Sequence, residues 1–243
     1  MGEENATPRV LLVIPAFNEQ DSLAATLADV RREAGFASVL VVDDGSSDLT
    51  TDIALDEGVD FARLPFNLGV GAAVQTGFKY AQRGDFDFVV QFDADGQHPA
   101  KFVRKMVERI RDSSADVVAG VRVAGDLESY TFTFLRRLGS WWLRLLIWIA
   151  SGQRFTDPTC GLRIYNRRAA SFLAKHYPEI AAEPCSLALL SNHGFKVVEL
   201  EVSLRPRTGG ATSLTFGRSL SYMIIASWAI ATATLATGRR RTD

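Results

Sequence analysis

Short apolar runs alternate with helix-like stretches through the first half of the chain. Most of these runs are continuous rather than alternating apolar and polar, as expected for strands that are buried on both faces. The predicted strands are Val10–Ile14, Val39–Val42, Asp60–Leu64, Phe86–Phe92 and Asp116–Val121. The predicted helices between them are Gln20–Gly35, Asp48–Glu57, Gly69–Gln82 and Pro99–Asp112. This order predicts an α/β fold with a mostly parallel central sheet and helices on both faces.

The second half of the chain is less regular. Phe132–Ala150 is a helix candidate rich in aromatic and basic residues, and Asp157–Gly161 is a polar turn. Lys196–Leu204 alternates apolar and polar positions, which predicts a further strand. The apolar segment Phe216–Gly238 is followed by arginines at residues 239–241, and it predicts a C-terminal apolar helix.

Composition excludes several classes of protein. With 47% hydrophobic and 23% charged residues, the chain can bury a core of normal size, which excludes a disordered chain, a collagen-like repeat and a coiled coil. The net charge of −1 argues against a general nucleic-acid binder, which normally carries a basic excess. Cys160 and Cys185 are too few for a disulfide framework or a four-cysteine zinc site, so a reducing cytoplasm is the simplest compartment. The first ten residues lack the pattern of a secretory signal.

Polar clusters follow three of the predicted strands. They are Pro15–Glu19, Asp43–Asp48 and Asp93–Gln97. Ligands of open α/β sheets bind at the carboxyl ends of the strands. We therefore expect the three clusters to converge on one site.

The cluster Asp93-x-Asp95-x-Gln97 carries the sharpest chemical signal. Two carboxylates and an amide oxygen suit a hard divalent cation, Mg²⁺ or Mn²⁺. Taken alone, the pattern fits a solvated acidic turn equally well. Its position at a strand end favours a cation, because carboxylates placed there repel each other. His98, the next residue, could touch the metal or its water.

Two further segments have both a structural and a functional interpretation. In Asp43–Asp48, Gly45 and Ser47 suit a turn and a helix cap, while Asp44 could accept hydrogen bonds from a nucleotide base or ribose. The glycines of Asn67-x-Gly69-x-Gly71 are better explained by a tight turn before a helix than by phosphate binding, because the dinucleotide fingerprint and the Walker lysine are missing.

Together these segments resemble glycosyltransferase family 2, and within it the polyprenyl-phosphate glycosyltransferases. The matching segments are Ile14–Glu19, Val42–Asp48, Asn67–Gly71, Phe92–Pro99 and Asp157–Arg163. The resemblance covers roughly residues 9–210 and implies the GT-A fold. It departs from the family near Glu183–Ser186, where an acidic residue is often found. Glu183 could supply that residue, or Cys185 could have replaced it.

The resemblance implies a role for particular residues. Pro15, Phe17 and Glu19 would hold the nucleotide base and ribose, and Val42 and Asp44 would continue that pocket. The residues implied for the metal and the sugar diphosphate are Asp93, Ala94, Asp95 and Gln97. The arginines implied are Arg122 and Arg136 for the acceptor phosphate and Arg205 or Arg207 for the diphosphate. The predicted catalytic residues are Asp95, Arg122, Arg136 and Asp157.

The function implied is an inverting, metal-dependent transfer of a hexose from a nucleotide-diphosphate sugar to a polyprenyl phosphate. A phosphate monoester is mostly dianionic at neutral pH, since its second pKa is about 6, so it needs no general base. A sugar or lipid hydroxyl acceptor would need one, and Asp157 and Glu183 are the candidates. A third hypothesis is a non-catalytic GT-A-like subunit of an envelope-polysaccharide assembly.

The chain is expected to comprise a catalytic domain, residues 1–210, and a C-terminal segment, residues 211–243. Leu220–Gly238 is close to the length of about 20 residues that spans a bilayer, but its serines and threonines dilute the apolarity. We expect a peripheral helix at the cytoplasmic membrane surface, with a second contact at Trp141, Trp142, Arg144 and Trp148. The alternative is packing on the catalytic domain or in a homo-oligomer.

Overall fold

The computed structural model describes residues 7–123, 134–179, 181–205 and 225–231, with the side chains of residues 134–138 left out. A seven-stranded sheet forms its centre, in the order β3-β2-β1-β4-β6-β5-β7. The strands are β1 (Val10–Ala16), β2 (Ser38–Asp43), β3 (Asp60–Arg63), β4 (Phe88–Gln91), β5 (Val117–Arg122), β6 (Arg163–Asn166) and β7 (Val197–Val202). All neighbouring pairs are parallel except those of β6, which runs antiparallel to both β4 and β5.

Helices cover both faces of the sheet. They are α1 (Leu23–Glu33), α2 (Thr50–Asp56), α3 (Val70–Arg83), α4 (Lys101–Ser113), α5 (Phe134–Ser151), α6 (Arg167–His176) and α7 (Ala182–Asn192). Residues 225–231 are also helical. No helix within the described ranges is both long enough and apolar enough to cross a bilayer.

Strand β1 shows why the apolar runs are continuous. Leu11 and Val13 point into one core layer with α3, α5, α6 and α7. Leu12 and Ile14 point into the other layer, with α1 and α4. Because successive side chains of a strand face opposite sides, a strand covered on both faces must be apolar at every position.

The mostly parallel α/β fold is confirmed, and the predicted strands and first-half helices are all present with small shifts of their ends. Strand β6 and helices α6 and α7 were not predicted. Strand β6 has only four residues, and one of them, Arg163, is completely buried. A short strand that contains a buried arginine has no recognisable apolar pattern.

Helix α3 lies very close to β1 because of a glycine. A Cβ added to Gly77 would come within 2.2 Å of a γ-methyl group of Val13. Val13 is itself 1% exposed, so it has little room to move aside. The absence of a side chain at Gly77 therefore sets the distance between this helix and the sheet.

The substitution Gly77→Ala should overpack this contact and lower the free energy of unfolding by about 1–3 kcal/mol. Urea unfolding of the parent and the variant measures the difference. In the double variant with Val13→Ala, the new methyl group has space, so the two changes should together cost less than their sum. Strictly additive costs would contradict the close contact.

Candidate active site

The loops after β1 and β2 are joined by hydrogen bonds, so the first two polar clusters do converge. The Asp44 amide donates to the Ala16 carbonyl at 2.8 Å. The Asn18 amide donates to Ser46 Oγ at 2.9 Å, and Asn18 Oδ1 accepts from the Ser47 amide at 2.9 Å. The carboxyl ends of these adjacent strands thus form one rigid edge.

This edge carries the residues predicted to hold the base and ribose. Pro15 and Val42 are paired in the β1–β2 register. The side chain of Phe17 is 43% exposed at the rim. The Glu19 amide donates to Thr50 Oγ1 at 2.8 Å, which ties the residue to the start of α2. The predicted pocket residues therefore lie side by side, and their contact with a nucleotide stays a prediction.

Asp44 has a structural role that the sequence interpretation did not include. Its carboxylate accepts from the amides of Leu68 and Gly69, at 2.8 and 2.7 Å. The neighbouring Gly45 has a φ of 74°, and a Cβ there would lie 2.7 Å from the carbonyl carbon of Phe66. Asp44 and Gly45 thereby fasten the loop before α3 to the end of β2.

Asp93 follows β4 and lies at the centre of the candidate site. Its Oδ2 is 3.1 Å from Nε2 of His98. Burial by itself raises the pKa of Asp93, but the His98 hydrogen bond and the charges of Arg122 and Arg163 outweigh it, so the pKa falls below its usual value. A Cβ on Gly161 would come within 2.6 Å of Oδ2, so Gly161 leaves the space that this carboxylate occupies.

Asp95 and Gln97 lie on the same loop. Asp95 Oδ1 accepts from the Gln97 amide at 3.0 Å, and Gly96 provides the turn with a φ of 73°. In the part of the chain that the structure describes, no three His, Cys, Asp or Glu side chains are grouped to hold a metal. The donor set is two carboxylates and an amide oxygen, and the ionised state of Asp93 suits it to a hard cation. These oxygen donors are of the kind that a hard divalent ion accepts, and their binding of a metal or a diphosphate stays a prediction.

Arg122 and Asp157 form a two-pronged ion pair beside Asp93. Nε and Nη2 of Arg122 donate to the two oxygens of Asp157 at 2.5 and 2.7 Å. Thr159 Oγ1 donates to Asp157 Oδ1 at 3.0 Å. Burial raises the pKa of Asp157, but the pairing with Arg122 outweighs this and lowers it. A carboxylate held in this way is a poor general base.

Arg163 is completely buried, and among the residues that the structure describes no carboxylate lies within hydrogen-bonding distance of it. It donates to the carbonyl oxygens of Pro158, Cys160 and Glu183 and to the hydroxyl of Ser186, at 2.7–2.9 Å. This arginine joins the Asp157–Gly161 turn to the start of α7. Its partners Glu183 and Ser186 are 20 and 23 residues away in the chain, so no local sequence pattern connects them with Arg163.

Glu183 is the acidic residue at the start of α7. Burial raises its pKa, the charge of Arg163 partly opposes this rise, and nearby Asp93 adds to it. Of the two general-base candidates, Glu183 is the one with a raised pKa.

The remaining predicted arginines are placed differently. Arg205 donates to both oxygens of Asp29, at 2.9 and 3.2 Å, so its guanidinium is paired with a carboxylate here. Arg136 belongs to α5, but its side chain lies outside the described residues, as does all of Arg207. Their predicted contacts with phosphates stay predictions.

The model of the family named glycosyl transferase family 2 matches residues 11–173. This chain belongs to that family. The undecaprenyl-phosphate mannosyltransferase of Micrococcus luteus is 30% identical, over 86% of this chain and 88% of its own. The UDP-N-acetylglucosamine–dolichyl-phosphate N-acetylglucosaminyltransferase of Methanococcus voltae is 29% identical, over 74% and 78%.

Solved structures agree with the fold of this family 2 glycosyltransferase. Glucosyl-3-phosphoglycerate synthase from Mycobacterium tuberculosis, crystallised with Mn²⁺, uridine diphosphate and phosphoglyceric acid, superposes with a TM-score of 0.66. The match covers 98% of this chain and 81% of that one, at 17% identity. The GT-A architecture expected from the sequence motifs is confirmed.

The substitution Gly161→Ala should displace the Asp93 carboxylate and weaken nucleotide-sugar binding about tenfold or more, as changes next to metal ligands commonly do. Binding isotherms with Mn²⁺ and a nucleoside diphosphate measure this effect. The control is Gly152→Ala, at a φ of 72° with no neighbour within 4 Å. That variant should lose stability and keep its binding. Equal losses of binding in both variants would refute the role of Gly161.

Proposed function

We propose that this glycosyltransferase moves a hexose from a nucleotide-diphosphate sugar to a polyprenyl phosphate, with inversion, at the cytoplasmic face of the membrane. The supporting observation is the two named relatives, which are named as transferases of a sugar to dolichyl or undecaprenyl phosphate and which align over most of both chains. The proposal assigns catalysis to residues 1–210 and membrane contact to residues 211–243 together with α5.

For this reaction the protein needs mainly to position the two substrates and to supply positive charge. An oxygen of the acceptor phosphate forms a new bond to the anomeric carbon. The bond from that carbon to the diphosphate breaks, and its electron pair leaves with the nucleoside diphosphate. Attack opposite the leaving group inverts the anomeric centre. Both reactants are anionic, so the main task is to reduce their repulsion.

Asp93, Asp95 and Gln97 would hold a divalent ion, Mg²⁺ or Mn²⁺. Bound there, the ion would neutralise the diphosphate and stabilise it as a leaving group. Arg122 would present positive charge beside the same loop, since its side chain is 30% exposed despite the pair with Asp157. Arg136, on α5, is the second arginine proposed for the acceptor phosphate.

The alternative function is transfer to a sugar or lipid hydroxyl. The raised pKa of Glu183 favours it, because a buried carboxyl whose pKa is shifted toward neutrality suits a general base. The two acceptors predict different experimental results. A dianionic phosphate acceptor predicts a transfer rate that is nearly flat above neutral pH. A hydroxyl acceptor predicts that the variant Glu183→Gln loses turnover.

The substitution Asp95→Asn tests the donor site. It removes one anionic ligand at nearly constant shape, so metal-dependent nucleotide binding and turnover should both be lost while the fold persists. The measurements are thermal stabilisation by Mn²⁺ with a panel of nucleotide sugars, and sugar transfer to polyprenyl phosphate. Asp112→Asn, at an exposed position near the end of α4, is the matched control. Near-normal sugar transfer by the Asp95→Asn variant would refute the proposed donor site.

The proposed membrane contact rests on an aromatic surface. Helix α5 and residues 225–231 touch each other, since Trp142 Nε1 donates to Ser227 Oγ at 2.9 Å. Large apolar side chains remain exposed on both, namely Trp141, Trp142, Trp148, Ile149, Ile225 and Trp228. Tryptophan favours the membrane interface, and Arg154, stacked on Trp148 at 4.8 Å, adds positive charge for anionic lipid.

Replacing Trp141 and Trp228 by serine should lower binding to vesicles that contain anionic lipid by about tenfold or more, because each indole contributes apolar area to the contact. Vesicle sedimentation measures the bound fraction. Leu55→Ser on α2, which is 57% exposed in the parent, is the control and should bind normally. If the variant with Trp141 and Trp228 replaced binds vesicles as well as the parent and the Leu55→Ser control do, α5 is not the membrane contact.

A further inference from the structure

Helix α1 carries a buried polar stripe. Ser22, just before the helix, and Thr26 and Asp29 within it are 1%, 2% and 6% exposed. Their spacing of four and then three residues places them on one side of the helix. Leu23, Leu27 and Val30 of the same helix are buried as well.

Each of these polar side chains bonds to a segment of the candidate site. Ser22 Oγ donates to Glu19 Oε2 at 2.5 Å, on the nucleotide side. Thr26 Oγ1 donates to the carbonyl of Ala94 at 2.9 Å, in a buried bond. Ala94 lies between Asp93 and Asp95, so this bond fixes the backbone that carries both carboxylates.

Asp29 binds the other end of the same loop, at Ala100, and also the segment after β7, at Arg205. Its Oδ2 accepts from the Ala100 amide at 2.9 Å, in a buried bond. Its carboxylate also accepts two hydrogen bonds from the Arg205 guanidinium and pairs with Arg32 of the same helix. The Arg205 amide in turn donates to the Gln97 carbonyl at 2.8 Å, so the segment after β7 is fastened onto the loop.

We propose that Thr26 and Asp29 are positioning residues, which hold the Asp93–Ala100 loop at both ends in the geometry that binds the metal and the diphosphate. This inference rests on the proposed function of that loop. The three side chains of the stripe bond to Glu19, to the loop and to the segment at Arg205. Besides the ion pair of Asp29 with Arg32 in the same helix, the bonds of the stripe reach three segments of the candidate site, which a stripe that only satisfied a buried helix face would not need to do.

The physical need comes from the loop itself. Neighbouring carboxylates repel each other until a cation binds. A loop without support would therefore move its carboxylates apart, and bringing them together again on binding would cost free energy. Support from a rigid helix keeps the ligands in place before binding. Because the supporting bonds are buried, they are not replaced by water when they are removed.

The first experiment is Thr26→Val in the full chain, which keeps the side-chain shape and removes the donor. The probe is Mn²⁺ with the nucleoside diphosphate, UDP or GDP, that the parent chain binds. Electron paramagnetic resonance of free Mn²⁺ gives the affinity. We expect Mn²⁺ affinity to fall about tenfold, the KM of the donor to rise, and Thr26→Ser to restore both. The matched control is Thr76→Val, since the Thr76 hydroxyl donates to the Ala72 carbonyl within α3, away from the loop.

The second variant is Asp29→Asn, which keeps an acceptor for the Ala100 amide and removes the charge that pairs with Arg205. It should weaken Mn²⁺ binding less than Asp29→Ala, which removes the contacts to the Ala100 amide, to Arg205 and to Arg32 together. Melting temperatures are measured in parallel, because a purely structural role would lower stability without changing Mn²⁺ affinity in the folded protein.

The outcomes separate this inference from the proposed function. If Asp95→Asn abolishes Mn²⁺ binding while Thr26→Val and Asp29→Ala bind it like the parent, the positioning role is refuted and the metal site stands. If the parent chain binds no Mn²⁺ with either nucleotide, the proposed donor site fails, and the inference fails with it. An equal loss in Thr76→Val would also refute the inference, because the effect would not be specific to the stripe.

Discussion

The structure depends on keeping Asp93 ionised at the end of a strand that is buried on both faces. Burial opposes the charge, and the protein offsets this with a hydrogen bond from His98 and the nearby charges of Arg122 and Arg163. The rest of the site follows from this arrangement. Gly161 must be small because the carboxylate occupies its side-chain space. Arg163, whose charge helps to lower the pKa of Asp93, is buried where it bonds both to the Asp157–Gly161 turn and to α7.

Around this carboxylate, charge is balanced by pairs rather than left exposed. Asp157 forms an ion pair with Arg122, and Asp29 forms one with Arg205. Such pairs fix geometry more than they add stability, since removing two charges from water costs free energy. For the proposed reaction between two anions, a fixed arrangement of positive charge is more useful than a strong one, because it needs no reorganisation when the reactants approach.

The two sides of the molecule divide the work. Helices α1 and α4 support the polar loops from one core layer. In the other layer α5 and residues 225–231 join the core and leave aromatic side chains exposed. A transferase that takes one substrate from water and the other from a lipid phase needs two such surfaces, and the proposed function uses both.

The sequence by itself determined the alternation of strands and helices, the polar clusters at the strand ends and, through its motifs, the family. These features are local: continuous apolar runs and short motifs are visible within a few residues. Only the tertiary structure decided which charges are paired. Asp29 and Arg205 are 176 residues apart, and Arg122 and Asp157 are 35 apart, with no pattern in between to connect them. The antiparallel position of β6 likewise depends on pairing between strands that are distant in the chain. A strand of four residues is too short to be recognised from its own sequence, so its place in the sheet, and the burial of Arg163 on it, are decided by the neighbouring strands.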